Sequence, residues 1–107
     1  MTGYVYLLHK ATGDIESYKI GISKNDPLKR VKQLQTGNDS QIHLLKQYES
    51  ENYKKIEQML HKQYGKFSTE SGNEWFNLPA DEVFAFIENC KKKDELISFM
   101  KENNPFF

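Results

Sequence analysis

Residues 17–30, SYKIGISKNDPLKR, decide how this chain folds. In the first seven, Tyr18, Ile20 and Ile22 alternate with Lys19, Gly21 and Ser23. A period of two is the mark of a strand with one apolar face. Tyr18, Ile20 and Ile22 therefore point inward, while Lys19, Gly21 and Ser23 share the other side. That second side is polar and small, which suits the wall of a site better than a core. Asn25 or Asp26 then caps a helix, with Pro27 at its first position, where a missing N–H costs nothing. Leu28, Val31 and Leu34 make the apolar stripe of that helix, and Thr36-Gly37-Asn38 ends it.

Towards the N-terminus, residues 3–9 (GYVYLLH) are β-prone, and Thr12-Gly13-Asp14 supplies turn chemistry. Two strands joined this closely form an antiparallel hairpin. Downstream, residues 41–48 read as a third strand. Residues 51–64 read as a helix whose stripe is Tyr53, Ile56, Met59, Leu60 and Tyr64. The stretch 68–73 is a polar loop, and 74–78 (EWFNL) is a short aromatic strand or anchor. Pro79-Ala80-Asp81 opens a helix to about Lys92, with Val83, Phe84, Ile87 and Cys90 inward. A last helix over 94–103 uses Leu96, Ile97 and Met100, and Pro105-Phe106-Phe107 either docks or frays. The order β-β-α-β-α-(β)-α-α predicts a small α/β or α+β sandwich. It forms one domain over 1–107, with a core at about 3–78 and a helical extension at 79–107.

Composition narrows the function. With 37% hydrophobic and 28% charged residues in 107, the chain reads as a soluble globular domain, not a disordered one. No apolar run is long enough for a signal peptide or membrane span. Cys90 is the one cysteine, so no intrachain disulfide forms; a reducing, cytoplasmic setting fits. A formal net charge of zero argues against coating nucleic acid by bulk attraction but leaves room for a local patch. Residues 19–32 are such a patch: Lys19, Lys24, Lys29, Arg30 and Lys32 stand against Asp26 alone.

Arg30 is the only arginine beside fourteen lysines. A guanidinium is a planar, permanently charged fork that matches two phosphate oxygens at once, which an ammonium does not. Lys19, Gly21, Lys24 and Arg30 are therefore the candidate phosphate contacts, Gly21 because a missing side chain lets a ligand approach. Tyr6 lies on the first strand, facing Lys19 or Gly21 across the ladder. Glu57 sits beside the apolar stripe of its helix, and His61, four residues on, projects from the same side. A lone carboxylate aimed at a basic strand suffices for Mg²⁺ or Mn²⁺, since magnesium often takes one or two carboxylates and keeps its waters. The plainer alternatives are an Arg30–Asp26 ion pair, a Glu57 pair with Lys54 or His61, and a His61 that bonds the sheet or caps its helix. Trp75 and Phe76 read as core anchors.

Tyr4-Val5-Tyr6-Leu7-Leu8, Lys19-Ile20-Gly21, Arg30, and Glu57 with His61 resemble the GIY-YIG nuclease superfamily. The closer resemblance is to the branch known from bacteriophage open reading frames and a meiotically up-regulated gene. Leu34-Gln35-Thr36-Gly37-Asn38 and Glu74-Trp75-Phe76 add to it, over about residues 3–78. The resemblance implies a three-stranded antiparallel sheet flanked by helices, followed here by two C-terminal helices. It also implies metal-dependent hydrolysis of phosphodiester bonds in DNA. Tyr6 would activate or position water, Arg30 would bind the scissile phosphate, and Glu57 would hold the metal. Lys19 stands where the superfamily has its second tyrosine, with Tyr18 turned to the core by one residue of register. Two alternatives share the phosphate grip: a non-cutting nucleic-acid-binding module, and a binder or hydrolase of a small phosphate-bearing nucleotide. A homodimer or a targeting partner protein would widen the contact surface.

Overall fold

A computed structural model describes residues 2–36, 41–69 and 72–103, with the side chains of Thr12 and of residues 68–74 outside the description. The predicted helix stop at Gly37-Asn38 and the Pro105-Phe106-Phe107 end lie outside the described residues. Strands β1 (Gly3–Thr12) and β2 (Ile15–Ser23) form the expected hairpin, longer than the pattern alone suggests. Thr12 pairs with Ile15, so Gly13 and Asp14 alone make the turn. Gly13 has φ of +62°, the left-handed conformation that tight hairpins require and glycine adopts without strain.

Helix α1 (Pro27–Gln35) starts where the sequence predicts. Asp26 is its cap, accepting the Leu28 N–H at 3.0 Å, and Pro27 is buried at the first position. Strand β3 (Ile42–Ser50) pairs with β1, and helix α2 (Tyr53–Gln63) follows. A single turn at Gly65–Phe67 leads into β4 (Ser68–Thr69) and β5 (Gly72–Phe76). The sheet order is β3-β1-β2-β5-β4, and its described pairs are antiparallel. The expected three strands form its centre, and the short β4–β5 hairpin extends it beyond β2. The class is α+β.

Each face of the sheet has its own core. On one side, Val5, Leu7, Ile20 and Phe76 pack with Tyr53, Ile56 and Leu60 of α2 and with Tyr64 just past its end. Burying an aliphatic or aromatic side chain of that kind contributes about 1.5–3 kcal/mol. On the other side, Tyr6, Leu8 and Ile42 form a smaller cluster closed by Val31 and Leu34 of α1 and by Trp75. A bulge makes this division possible. Leu7 pairs with Lys46 and Leu8 with Leu44, leaving Leu45 as an extra residue. The extra residue reverses the alternation. Ile42 and Leu44 consequently face the α1 side, while Tyr48 packs with the main core.

Four expected core positions are corrected. Leu28 is 53% exposed, because α1 rests on a narrow cluster that needs only Val31 and Leu34. The C-terminal helices divide at Ala85, not near residue 93. Helix α3 covers Ala80–Phe84, and α4 runs unbroken over Phe86–Asn103, where no glycine or proline interrupts it. That division sends Phe86 into the core and leaves Phe84 outside. Along α4, Cys90 and Ile97 are buried, whereas Leu96 and Met100 are exposed. Phe86, Cys90 and Ile97 belong to the main core cluster, so α4 completes that core. Among the described residues, no helix is long and apolar enough to cross a membrane.

Candidate active site

The site forms at an open edge. Among the described residues, β5 pairs with β2 only at Tyr18 and Lys19, and no strand meets Ile20–Ser23 on that flank. Helix α1 covers one face of the sheet there and α2 the other. Between them lies a cleft of about 320 Å³, lined by Tyr6, Lys19, Gly21, Arg30, Glu57 and His61 together with Ile20 and Ile22. The five residues singled out for chemistry, drawn from four elements and as far apart as positions 6 and 61, thus line one cleft. Lys24 is exposed between β2 and α1 and is not part of the cleft lining.

Tyr6 and Gly21 are register partners across the hairpin. The Tyr6 ring lies directly on the glycine: a Cβ at position 21 would stand 2.5 Å from Tyr6 Cζ and 2.7 Å from Cε1, and would also strike the hydroxyl. Tyr6 is only 2% exposed, so the ring has little room to yield. The glycine therefore serves the tyrosine, giving its ring a flat bed that delivers the hydroxyl to the cleft. Gly21→Ala should cost about 1–3 kcal/mol by overpacking. A thermal melt checks this, and an unchanged midpoint would mean the strand absorbs the methyl freely.

His61 reaches the exposed flank of β2. Its Nε2 lies 3.0 Å from the Ile20 carbonyl oxygen, and its ring meets Phe76 edge-on at 5.3 Å. A carbonyl only accepts, so Nε2 carries the hydrogen, and in the neutral ring Nδ1 keeps the lone pair. His61 thus takes the hydrogen-bonding place a neighbouring strand would occupy and pins α2 against the edge. The sheet bond is the alternative realised for this residue. The signal was unreadable locally, because the acceptor is a main-chain group 41 positions away.

Arg30 is exposed on α1 and reaches Gln33 Oε1 at 3.3 Å. Among the described residues it makes no ion pair, and Asp26, the partner considered for it, is engaged as the helix cap. Its guanidinium charge is thus not neutralised by a neighbouring carboxylate. Lys19 and Arg30 bring two positive charges to the cleft, and Glu57 brings its one carboxylate. Tyr18, one residue from Lys19, is half-buried against the main core on the opposite face. Trp75 anchors the smaller cluster, half-buried on the α1 side and paired with Lys19.

No group of three or more His, Cys, Asp or Glu side chains is arranged to hold a metal among the described residues. The donors present are those of a site with one carboxylate. Glu57 would be the protein ligand and water the rest, a set that fits Mg²⁺ or Mn²⁺ and not zinc.

No curated protein and no solved structure matches this chain. A family model, the T5orf172 domain, matches residues 3–91. That span contains the whole sheet, α1, α2 and every residue of the cleft, and it shows that the chain belongs to the T5orf172 domain family.

Proposed function

We propose that this chain is a metal-dependent endonuclease of the GIY-YIG kind, hydrolysing phosphodiester bonds in DNA. The observation that carries the reading is the gathering of Tyr6, Lys19, Arg30, Glu57 and His61 around one cleft. Membership of a family associated with nuclease-like function supports it. A cleft with a fork-shaped cation, a second cation and one carboxylate suits a phosphodiester, which is anionic before reaction and more so on its non-bridging oxygens during it.

In this reading Arg30 grips two non-bridging oxygens of the scissile phosphate, and Lys19 contacts the same group from β2. The Tyr6 hydroxyl orients the attacking water in line with the bond to be broken. The water oxygen forms the new bond to phosphorus as the bond to the leaving sugar oxygen breaks. The water's proton passes to solvent, and the leaving oxygen takes one in return. Glu57 holds the divalent ion; when bound, the ion supplies charge that offsets the negative charge growing on the phosphoryl oxygens. His61 is a positioning residue, keeping α2 and hence Glu57 against the open edge of β2.

The test uses the purified chain with supercoiled plasmid and with single-stranded DNA, in Mg²⁺, Mn²⁺ or EDTA. Cutting is expected with either metal, none with EDTA, and a loss of about 10²-fold or more in Glu57→Gln. Cutting that survives Glu57→Gln would remove the carboxylate from the mechanism. Tight DNA binding with no cutting in any cation would make the chain a binding module. A retained nucleotide without polymer binding would make it a nucleotide site.

A further inference from the structure

We infer that the cleft takes DNA whose strand is unpaired beside the scissile phosphate, and that Trp75 is the platform on which the neighbouring base stacks. The inference rests on the nuclease reading for the position of the phosphate. Trp75 and Phe76 are adjacent on β5 but have opposite surroundings. Phe76 is 1% exposed in the main core, whereas Trp75 is half-buried on the α1 face beside Lys19. Two ammonium groups converge on its indole: Lys10 Nζ at 4.1 Å from the ring centroid and Lys19 Nζ at 6.0 Å. Lys19 is also a wall of the cleft, so the ring borders the proposed reaction site with one side chain between them. Along β2, Lys19 is two residues from Gly21, about 6.6 Å of extended strand.

Surfaces that hold single strands combine these same parts. An aromatic ring stacks any base through its π-face, and cations on either side take the flanking phosphates. A paired base inside a duplex offers no free face to such a ring. The lysines also have a reason to let go of the indole. Two like charges gathered over one ring repel each other, and a phosphate arriving between them relieves that repulsion. Lys10 has a flexible four-carbon stem, so its ammonium can move to a phosphate while a base takes the ring. With formal net charge zero, the chain has no overall attraction for duplex DNA to compete with this patch.

Trp75 is the only tryptophan, so emission excited at the red edge of the indole band, where the six tyrosines do not absorb, reports this ring alone. The experiment is run in EDTA, which holds cleavage off. A short single-stranded oligonucleotide should quench the emission, and a blunt duplex of the same sequence should not. Trp75→Leu should weaken single-strand binding about tenfold and leave duplex binding within about twofold. Lys10→Gln, a substitution that spares the small core, should reduce the salt dependence of single-strand binding by about one phosphate contact. Equal quenching by the two DNAs, or a Lys10→Gln protein with unchanged single-strand affinity and salt dependence, would overturn the inference. Quenching by single strands without metal-dependent cutting would keep the platform and sink the nuclease reading. Cutting without quenching would do the reverse.

Discussion

Arg30→Ala should slow metal-dependent DNA cleavage by about a thousandfold while leaving the thermal midpoint nearly unchanged. The size follows from what a guanidinium does for phosphoryl transfer. Charge on the non-bridging oxygens grows towards the transition state, and a fixed, bidentate cation there is worth about 10³–10⁵ in rate in enzymes that use one. The absence of a stability cost follows from the position. Arg30 is exposed, its described side-chain contact is the one to Gln33, and surface changes of that kind stay within about 0.5 kcal/mol. Alanine is also a good residue for a helix interior. Single-turnover rates at saturating DNA, set beside a melting curve, separate the two effects. Cutting within tenfold of the parent would take Arg30 out of the mechanism.

Arg30→Lys sharpens the same point. It restores the charge but not the planar fork, and should recover no more than about a tenth of the parent rate if two oxygens are held at once. Full recovery would mean that any cation at this place suffices. The surrounding lysines would then be interchangeable with Arg30, and its singular use in this chain would have no chemical reason.

The local placement of the residues that line the cleft was more legible in the sequence than the sheet edge that gathers them. Alternation in residues 17–23 separated Tyr18 from Lys19 and Gly21, and helical spacing put Glu57 and His61 on one side of α2. Both patterns are local and survive folding intact. The open flank of β2, which makes these residues a cleft, depends on β5 pairing with only Tyr18 and Lys19. No periodicity records where a distant strand stops. The bulge at Leu45 is hidden for the opposite reason: Ile42, Leu44 and Leu45 are all apolar, so the reversal of faces leaves no trace in their pattern. Phe84 and Phe86 are equally apolar and two residues apart, and only the break at Ala85 decides which is buried. Trp75 packs against the smaller cluster as expected, but the approach of Lys10 and Lys19 to its ring comes from two other strands and leaves no mark in its own stretch.

The second large effect lies outside the cleft lining. Asp94→Ala should destabilise the fold by about 2–3 kcal/mol, because it leaves several buried or half-buried donors without their acceptor. Asp94 Oδ1 accepts from Ser50 Oγ and Asn52 Nδ2, each at 2.7 Å, and Oδ2 accepts from Tyr48 at 2.7 Å. Asn52 is 3% exposed, and its amide also bonds Ser98 and Lys101, so its side chain joins α4 to the start of α2 instead of capping α2. Burial, with the hydrogen bond to Asp94, raises the Tyr48 phenol to about 12, so it remains a donor across the working range. For Asp94 itself, burial pushes the pKa up. The bonds from Asn52, Ser50 and Tyr48 and the charge of Lys101 outweigh that push and hold it below the ordinary carboxylate value. A carboxyl depressed in the folded state stabilises fully above its unfolded pKa, near 3.9, and loses that contribution as pH falls through the folded value. Melting curves from pH 7 down to 3 should therefore show the Asp94→Ala protein well below the parent at neutral pH. The gap should narrow below about pH 4, as the parent protonates and loses the same bonds. Because Asn52 leads directly into the helix that carries Glu57 and His61, cleavage should weaken with stability even though Asp94 touches nothing in the cleft. A neutral-pH midpoint within 2 °C of the parent would show that water replaces Asp94 at no cost, and that α2 is held by its apolar face alone.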